Sequence, residues 1–197
     1  YGALQANTTA SYNTGVGYVA LNSNTTGTRN TAIGPFAAEE NTTGDDNTAI
    51  GYAALENNTV GARNTTVGVR AGQDITGSDN TLVGYQSGLN LTSGDRNVAI
   101  GSTTLQTSTT GQSNIAIGYQ TLQNATTGSN NIGIGSDSSL YNAALELLTT
   151  GGNNVAVGNN AGTKITSGSW NVLIGTSAGK KVTTAGDNTY IGPQAGE

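Results

Sequence analysis

Asn97-Val98-Ala99-Ile100-Gly101-Ser102 is followed, 17 residues on, by Asn114-Ile115-Ala116-Ile117-Gly118-Tyr119. Read outward from this pair, Asn-x-x-(Ile/Val)-Gly occurs eleven times, with its glycine at Gly17, Gly34, Gly51, Gly68, Gly84, Gly101, Gly118, Gly135, Gly158, Gly175 and Gly192. Eight of the ten steps between those glycines are 17 residues, one is 16 and one is 23, so one short unit is stacked on itself along the chain. Units that touch only their neighbours build a rod, and rods present or space things more readily than they catalyse.

Composition bounds the rod. Thirty glycines, one Phe and one Trp in 197 residues leave too few large apolar side chains for an ordinary globular core. Val, Ile and Leu nevertheless recur too regularly for disorder, so the core is thin and linear. The repeat leaves no linker, and 1–197 reads as a single β-solenoid repeat domain. Both ends break inside a repeat, which suggests a fragment of a longer fibrous protein.

The chain has no Cys and no His, which removes disulfides, thiolate nucleophiles and the commonest general base and metal ligand. Its formal charge is −5 with seven Lys and Arg, an unfavourable balance for nucleic acid or an anionic membrane. No apolar run reaches the roughly 18 residues of a spanning helix. The expectation is a protein without enzymatic activity, cofactor or metal.

Within one coil, Asn47-Thr48-Ala49-Ile50-Gly51 reads as a short strand bounded by Asn and Gly. The fourth position is always β-branched: Val16, Ile33, Ile50, Val67, Val83, Ile100, Ile117, Ile134, Val157, Ile174 and Ile191. This column is expected to face an interior and form the structural core. The alternate face carries the Asn and a mostly small residue such as Ala32, Ala99 or Ala116. With no charge at any motif position, both faces should be covered, one closing the coil and the other meeting a partner. Thr-Thr-Gly, as in Thr42-Thr43-Gly44, is expected to be a second, shorter strand ending in a glycine turn.

Three patterns test the register. Coils with Leu21, Leu55, Leu105 or Leu122 have Asn24, Asn58, Ser108 or Ala125 three residues on, whereas coils with Gly88, Gly162 or Gly179 place Leu91, Ile165 or Val182 there. One apolar volume is filled from either of two places, as native packing density requires. Before the motif Asn stand Arg29, Asp46, Arg63, Asp79 and Arg96, alternating in sign, which suits parallel stacking about 4.8 Å apart. Asn30, Asn47, Asn64, Asn80, Asn97, Asn114 and Asn131 should form a ladder of stacked amides.

The phrases Asn97–Ser102 and Asn114–Tyr119 resemble the head repeats of YadA-like trimeric autotransporter adhesins and related phage tail-fibre segments. The repeat itself gives an all-β, parallel β-solenoid (β-roll) of about eleven 17-residue coils, and the resemblance implies that it is left-handed and in a homotrimer. It also implies an extracellular place on a bacterial surface or a virion tail fibre, and attachment to a host surface protein, matrix protein or glycan. The period here is longer than that family's usual head repeat, and neither neck motif nor coiled-coil stalk is present.

Candidate binding residues are Tyr18, Tyr52, Tyr85 and Tyr119, in one column after the motif glycine with Tyr1, and Tyr141. The tyrosines could stack on sugars or grip protein, or simply cover the turn. Tyr141 lies in the 136–157 coil, whose six additional residues form either a protruding loop or a bulge packing its own leucines. The alternatives carried are a tailspike-like polysaccharide depolymerase, for which Glu39-Glu40 and Asp45-Asp46 supply carboxylates, and an ice-binding solenoid using Thr25/Thr26, Thr42/Thr43, Thr109/Thr110 and Thr126/Thr127. Sequons at Asn7, Asn24, Asn41 and Asn124 follow from an Asn- and Thr-rich repeat.

Overall fold

The computed structural model describes residues 2–136 and 143–197. It is an all-β parallel solenoid whose eleven strands form one sheet in chain order. They are β1 (Thr14–Val16), β2 (Thr31–Ile33), β3 (Thr48–Ile50), β4 (Thr65–Val67), β5 (Thr81–Val83), β6 (Val98–Ile100), β7 (Ile115–Ile117), β8 (Ile132–Ile134), β9 (Val155–Val157), β10 (Val172–Ile174) and β11 (Thr189–Ile191). Every pairing is parallel and joins like with like, Ala99 to Ala116 and Ile100 to Ile117 for example. The short step is absorbed without loss of register, since Val67 still pairs with Val83.

Each strand stops after three residues because the motif glycine turns it. Gly51 has φ +136°, and a Cβ there would lie 2.4 Å from the carbonyl oxygen of Gly68. Only glycine fits both the backbone and that approach. The rest of the coil turns at three further places in the left-handed region, and these are mostly not glycine: in the second coil, Phe36, Ala38 and Asp46 have φ of 60°, 48° and 59°.

The core differs from the expectation in one respect. The β-branched column is not the coil's own interior: Val16, Ile33, Ile50, Ile100, Ile174 and Ile191 are exposed, and Val67, Val83, Ile117, Ile134 and Val157 are half-buried. Side chains alternate across a strand, and the middle residue is the one that turns inward. Ala32, Ala49, Thr66, Leu82, Ala99, Ala116, Ala156 and Leu173 are fully buried there. They pack on Leu21, Leu55, Leu105 and Leu122 from the opposite wall.

The expected volume exchange is present: Leu91 and Ile165 are buried where Gly88 and Gly162 leave room. A second exchange runs through the strand. Leu82 reaches the space beside both Gly72 and Gly88, where an added Cβ would meet its Cδ1 at 2.8 Å in each case. Leu173 stands in the same relation to Gly162 and Gly179.

Thr-Thr-Gly does not form a second strand. In the coil at Thr25, the N–H groups of Thr25, Thr26 and Gly27 all point at the carbonyl of Thr42. Convergence on one acceptor makes a bend and leaves no alternating ladder. The coils are still tied there, because Thr42 Oγ1 donates to Thr59 O at 2.8 Å and Thr109 Oγ1 to Thr126 O at 3.0 Å.

Candidate binding surfaces

The motif asparagines are interior, and their ladder is what holds the coils in phase. Asn114 donates its backbone N–H (3.0 Å) and its Nδ2 (3.1 Å) to Asn97 Oδ1, and its Nδ2 also donates to Gly128 O at 2.9 Å. The backbone bond to the preceding Asn Oδ1 recurs at every step from Asn30 to Asn188. A second ladder, missed in the sequence, runs through the first coils: Asn24 Nδ2 to Asn7 Oδ1, Asn41 to Asn24 and Asn58 to Asn41, at 2.8, 2.8 and 2.9 Å. Three of the sequon asparagines, Asn7, Asn24 and Asn41, are therefore occupied inside the coil.

With the asparagines inside, the outward strand face carries two columns, the exposed or half-buried Ile/Val column and, two residues earlier, Thr31, Thr48, Thr65, Thr81, Val98, Ile115, Ile132, Val155 and Val172. No charge interrupts it from β1 to β11. At strand dimensions this is a strip about 10 Å by 50 Å, on the order of 500 Å². That is near the upper end of what a monomer ordinarily shows to water.

Beside it lies the aromatic column. Tyr18, Tyr52, Tyr85 and Tyr119 are all exposed. Phe36 bridges the first two, edge to face, at 5.4 Å from Tyr18 and 5.5 Å from Tyr52 between ring centroids. Phe36 escaped the sequence reading because Pro35 holds the column position and displaces the aromatic by one residue. Tyr85 and Tyr119 have Ser102 between them and no such bridge. Tyr1 and Tyr141 lie outside the described residues.

The inserted coil rejoins the regular pattern within the described residues. In regular coils the third residue after the motif glycine donates to that glycine's carbonyl, as Ala161 does to Gly158 at 3.2 Å, and here Ala144 does so to Gly135 at 3.3 Å. The additional residues therefore enter before Ala143. Leu145 and Leu148 are ordinary core residues in line with Leu122 and Ala125, and Leu140 lies outside the described residues. Glu146 is buried beside them, and that burial pushes its carboxyl pKa up, only partly offset by the Ala143 N–H.

The charged ladder is in the expected register. Arg29 grips Asp46 through Nε at 2.5 Å and Nη2 at 2.8 Å, and Arg63 grips Asp79 at 2.6 and 2.9 Å. Arg96 turns to Gln112 instead. The arginine hydrogen bonds hold Asp46 and Asp79 below the usual aspartate range, and the backbone N–H of Thr28 does the same for Asp45. Glu39 moves up, chiefly through desolvation and then through Glu56 and Glu40. Among the described residues no cluster of three carboxylates is arranged to hold a metal ion.

No family model, curated protein or solved structure matches this chain.

Proposed function

We propose that this chain is a head or shaft segment of an extracellular attachment fibre, a surface adhesin or a phage tail fibre, in which three chains pack through their strand faces. Side chains on the remaining outer surface, the Tyr18–Phe36–Tyr52 cluster first, then meet a host protein or glycan. The observation that carries this reading is the uncharged strip of Ile, Val and Thr on the outside of the coil. A sheet face of that length gains by burying its apolar surface. The Asp45 and Asp46 carboxylates are committed to Thr28 and Arg29, which counts against a depolymerase built on that pair.

Light scattering checks the assembly: a threefold mass is expected, and a monomer at every concentration overturns the proposal. Ile100→Asp sharpens it. Because Ile100 is 40% exposed in the single chain, the variant should keep its β signature and lose the threefold mass. Attachment is checked by binding to host cells or a glycan array, where Tyr18→Ala/Tyr52→Ala should weaken capture.

The outward Thr-x-Ile/Val ranks at about 4.8 Å spacing also suit an ordered water layer. Freezing hysteresis from a monomeric solution would favour ice binding over the fibre.

A further inference from the structure

The side of the coil opposite the strands carries a charge pattern that neither the sheet face nor the asparagine ladders use. Two adjacent columns run along it. The charged members of one are Glu39, Glu56, Glu146, Lys180 and Glu197, and those of the other are Glu40, Asp74, Lys164 and Lys181; Glu146 is buried and so is not presented to a partner. All three lysines of the chain lie at this one end of this one edge. Backbone bonds keep the columns in register as far as Thr163, Glu40 N to Glu56 O at 2.9 Å, Thr107 N to Gln123 O at 3.0 Å and Leu147 N to Thr163 O at 3.3 Å among them, and Gly162 N to Ala178 O at 2.9 Å ties the last two coils beside the lysines. Among the described residues the ion pairs are Arg29–Asp46 and Arg63–Asp79, so these glutamates and lysines are not spent on one another.

The spacing is symmetric. From Glu39 the column steps through positions 56, 73 and 89 to Gln106, four coils on. From Gln106 it steps through 123, 146 and 163 to Lys180, four coils more. In the second column Thr107 is likewise midway between Glu40 and Lys181. The two charged ends are eight coil spacings apart, roughly 38 Å.

We propose that this edge docks a second copy of the chain side by side and antiparallel, about a twofold axis through Gln106 and Thr107. Glu39 and Glu40 of each copy then face Lys180 and Lys181 of the other. The same rotation sets Lys164 opposite Asn57, next to Glu56, and Asn90 opposite Asn124. A twofold interface uses one patch twice and must be self-complementary, which the charged ends of this pattern are, while Asp74 falls opposite Leu147 between them. Parallel in-register pairing would set glutamate on glutamate and lysine on lysine. The edge is remote from the strand face, so the pairing acts on whatever unit that face builds and does not rest on the threefold reading.

Exposed pairs of this kind are weak singly and strongly screened. Sedimentation velocity of the intact chain at low and high NaCl is the test, with the high-salt mass defining the unit. The expected result is a mass at low salt that is twice the unit if the unit is a single chain, and twice or more if it is a trimer with three such edges, returning to the unit at high salt. Lys180→Glu/Lys181→Glu should abolish that increase, and adding Glu39→Lys/Glu40→Lys in the same chain should restore it, because the swapped pattern is again self-complementary. Glu40 and Lys181 are exposed and Glu39 and Lys180 half-buried, and an unchanged circular dichroism spectrum checks that each variant is folded. The proposal is overturned if the wild-type mass is the same at both salts, or if the reversed quadruple variant stays at the unit mass. The high-salt mass separately reports whether the unit is a trimer.

Discussion

At the residue scale, the coil depends on a few positions that do work no other side chain can do. Gly101 has φ +135°, and a Cβ there would stand 2.7 Å from Gly118 O. Gly101→Ala should cost on the order of 3 kcal/mol, read from urea denaturation. Ser113 poses the opposite case, since its φ of 56° is left-handed while its N–H bond to Asp95 O needs no side chain. Ser113→Gly should relieve more strain than the flexibility it adds to the unfolded chain, a gain of up to about 1 kcal/mol. Asn97 is the residue whose loss should be felt most. Its Oδ1 accepts two bonds from Asn114, and its Nδ2 donates to Gly111 O at 2.9 Å. Asn97→Ala leaves those buried groups unpaired, at about 1–3 kcal/mol for each group without a substitute. The motif spelled out every one of these asparagines and glycines in advance. The left-handed Arg, Asp and Ser before each Asn were not legible, because nothing in their side chains asks for that conformation.

At the element scale, each strand is too short to be stable alone and is fixed by the fit between one coil and the next. Leu82→Ala should cost about 2–5 kcal/mol, the range for emptying a buried leucine site. Gly88→Leu should also destabilise, by collision with Leu82, yet the double variant should be more stable than the two costs added together. A double-mutant cycle by thermal denaturation reads that coupling. The charged edges and the buried Glu146 set the pH response, the aspartates opposing the two glutamates Glu39 and Glu146. Asp45, Asp46 and Asp79 are held low, so their contribution is present above the ordinary value of 3.8 and lost as pH falls through their folded values. Glu39 is held high, so the folded chain takes its proton first. Its contribution is fully favourable below the ordinary value of 4.5 and is lost as pH rises through the folded value. Glu39→Gln should therefore raise the melting temperature near neutral pH and leave it unchanged in acid. A profile that moves equally at both ends would contradict the burial of that carboxylate.

At the scale of the whole molecule, eleven strands in chain order make a column whose cohesion passes from neighbour to neighbour. An interior disruption such as Gly101→Ala should therefore loosen the adjoining coils first, visible as a loss of amide-exchange protection that spreads outward from β6. A surface disruption such as Ile100→Asp should leave that protection in place and change only the mass. The two kinds of variant thus separate the interior of the coil from its outward strand face. The same distinction explains why one column of branched residues could be read as core while lying on the outside. A branched side chain on the outward face and one on the inward face read alike in a short uncharged strand.

The sequence by itself determined the solenoid, its coil length, the place of each strand, the alignment of Arg29 with Asp46 and the amide ladder from Asn30 to Asn131. Each of these follows from repetition, because equal units stacked in parallel must set like residues over like. Only the tertiary structure decided which strand face turned inward. Alternation along a strand has two phases, and a three-residue strand without charge favours neither until the opposite wall is in place. It also decided that Leu82 would fill the room left by Gly72 and Gly88. That match is between neighbouring coils in space, and volume is shared across a contact that no single repeat contains.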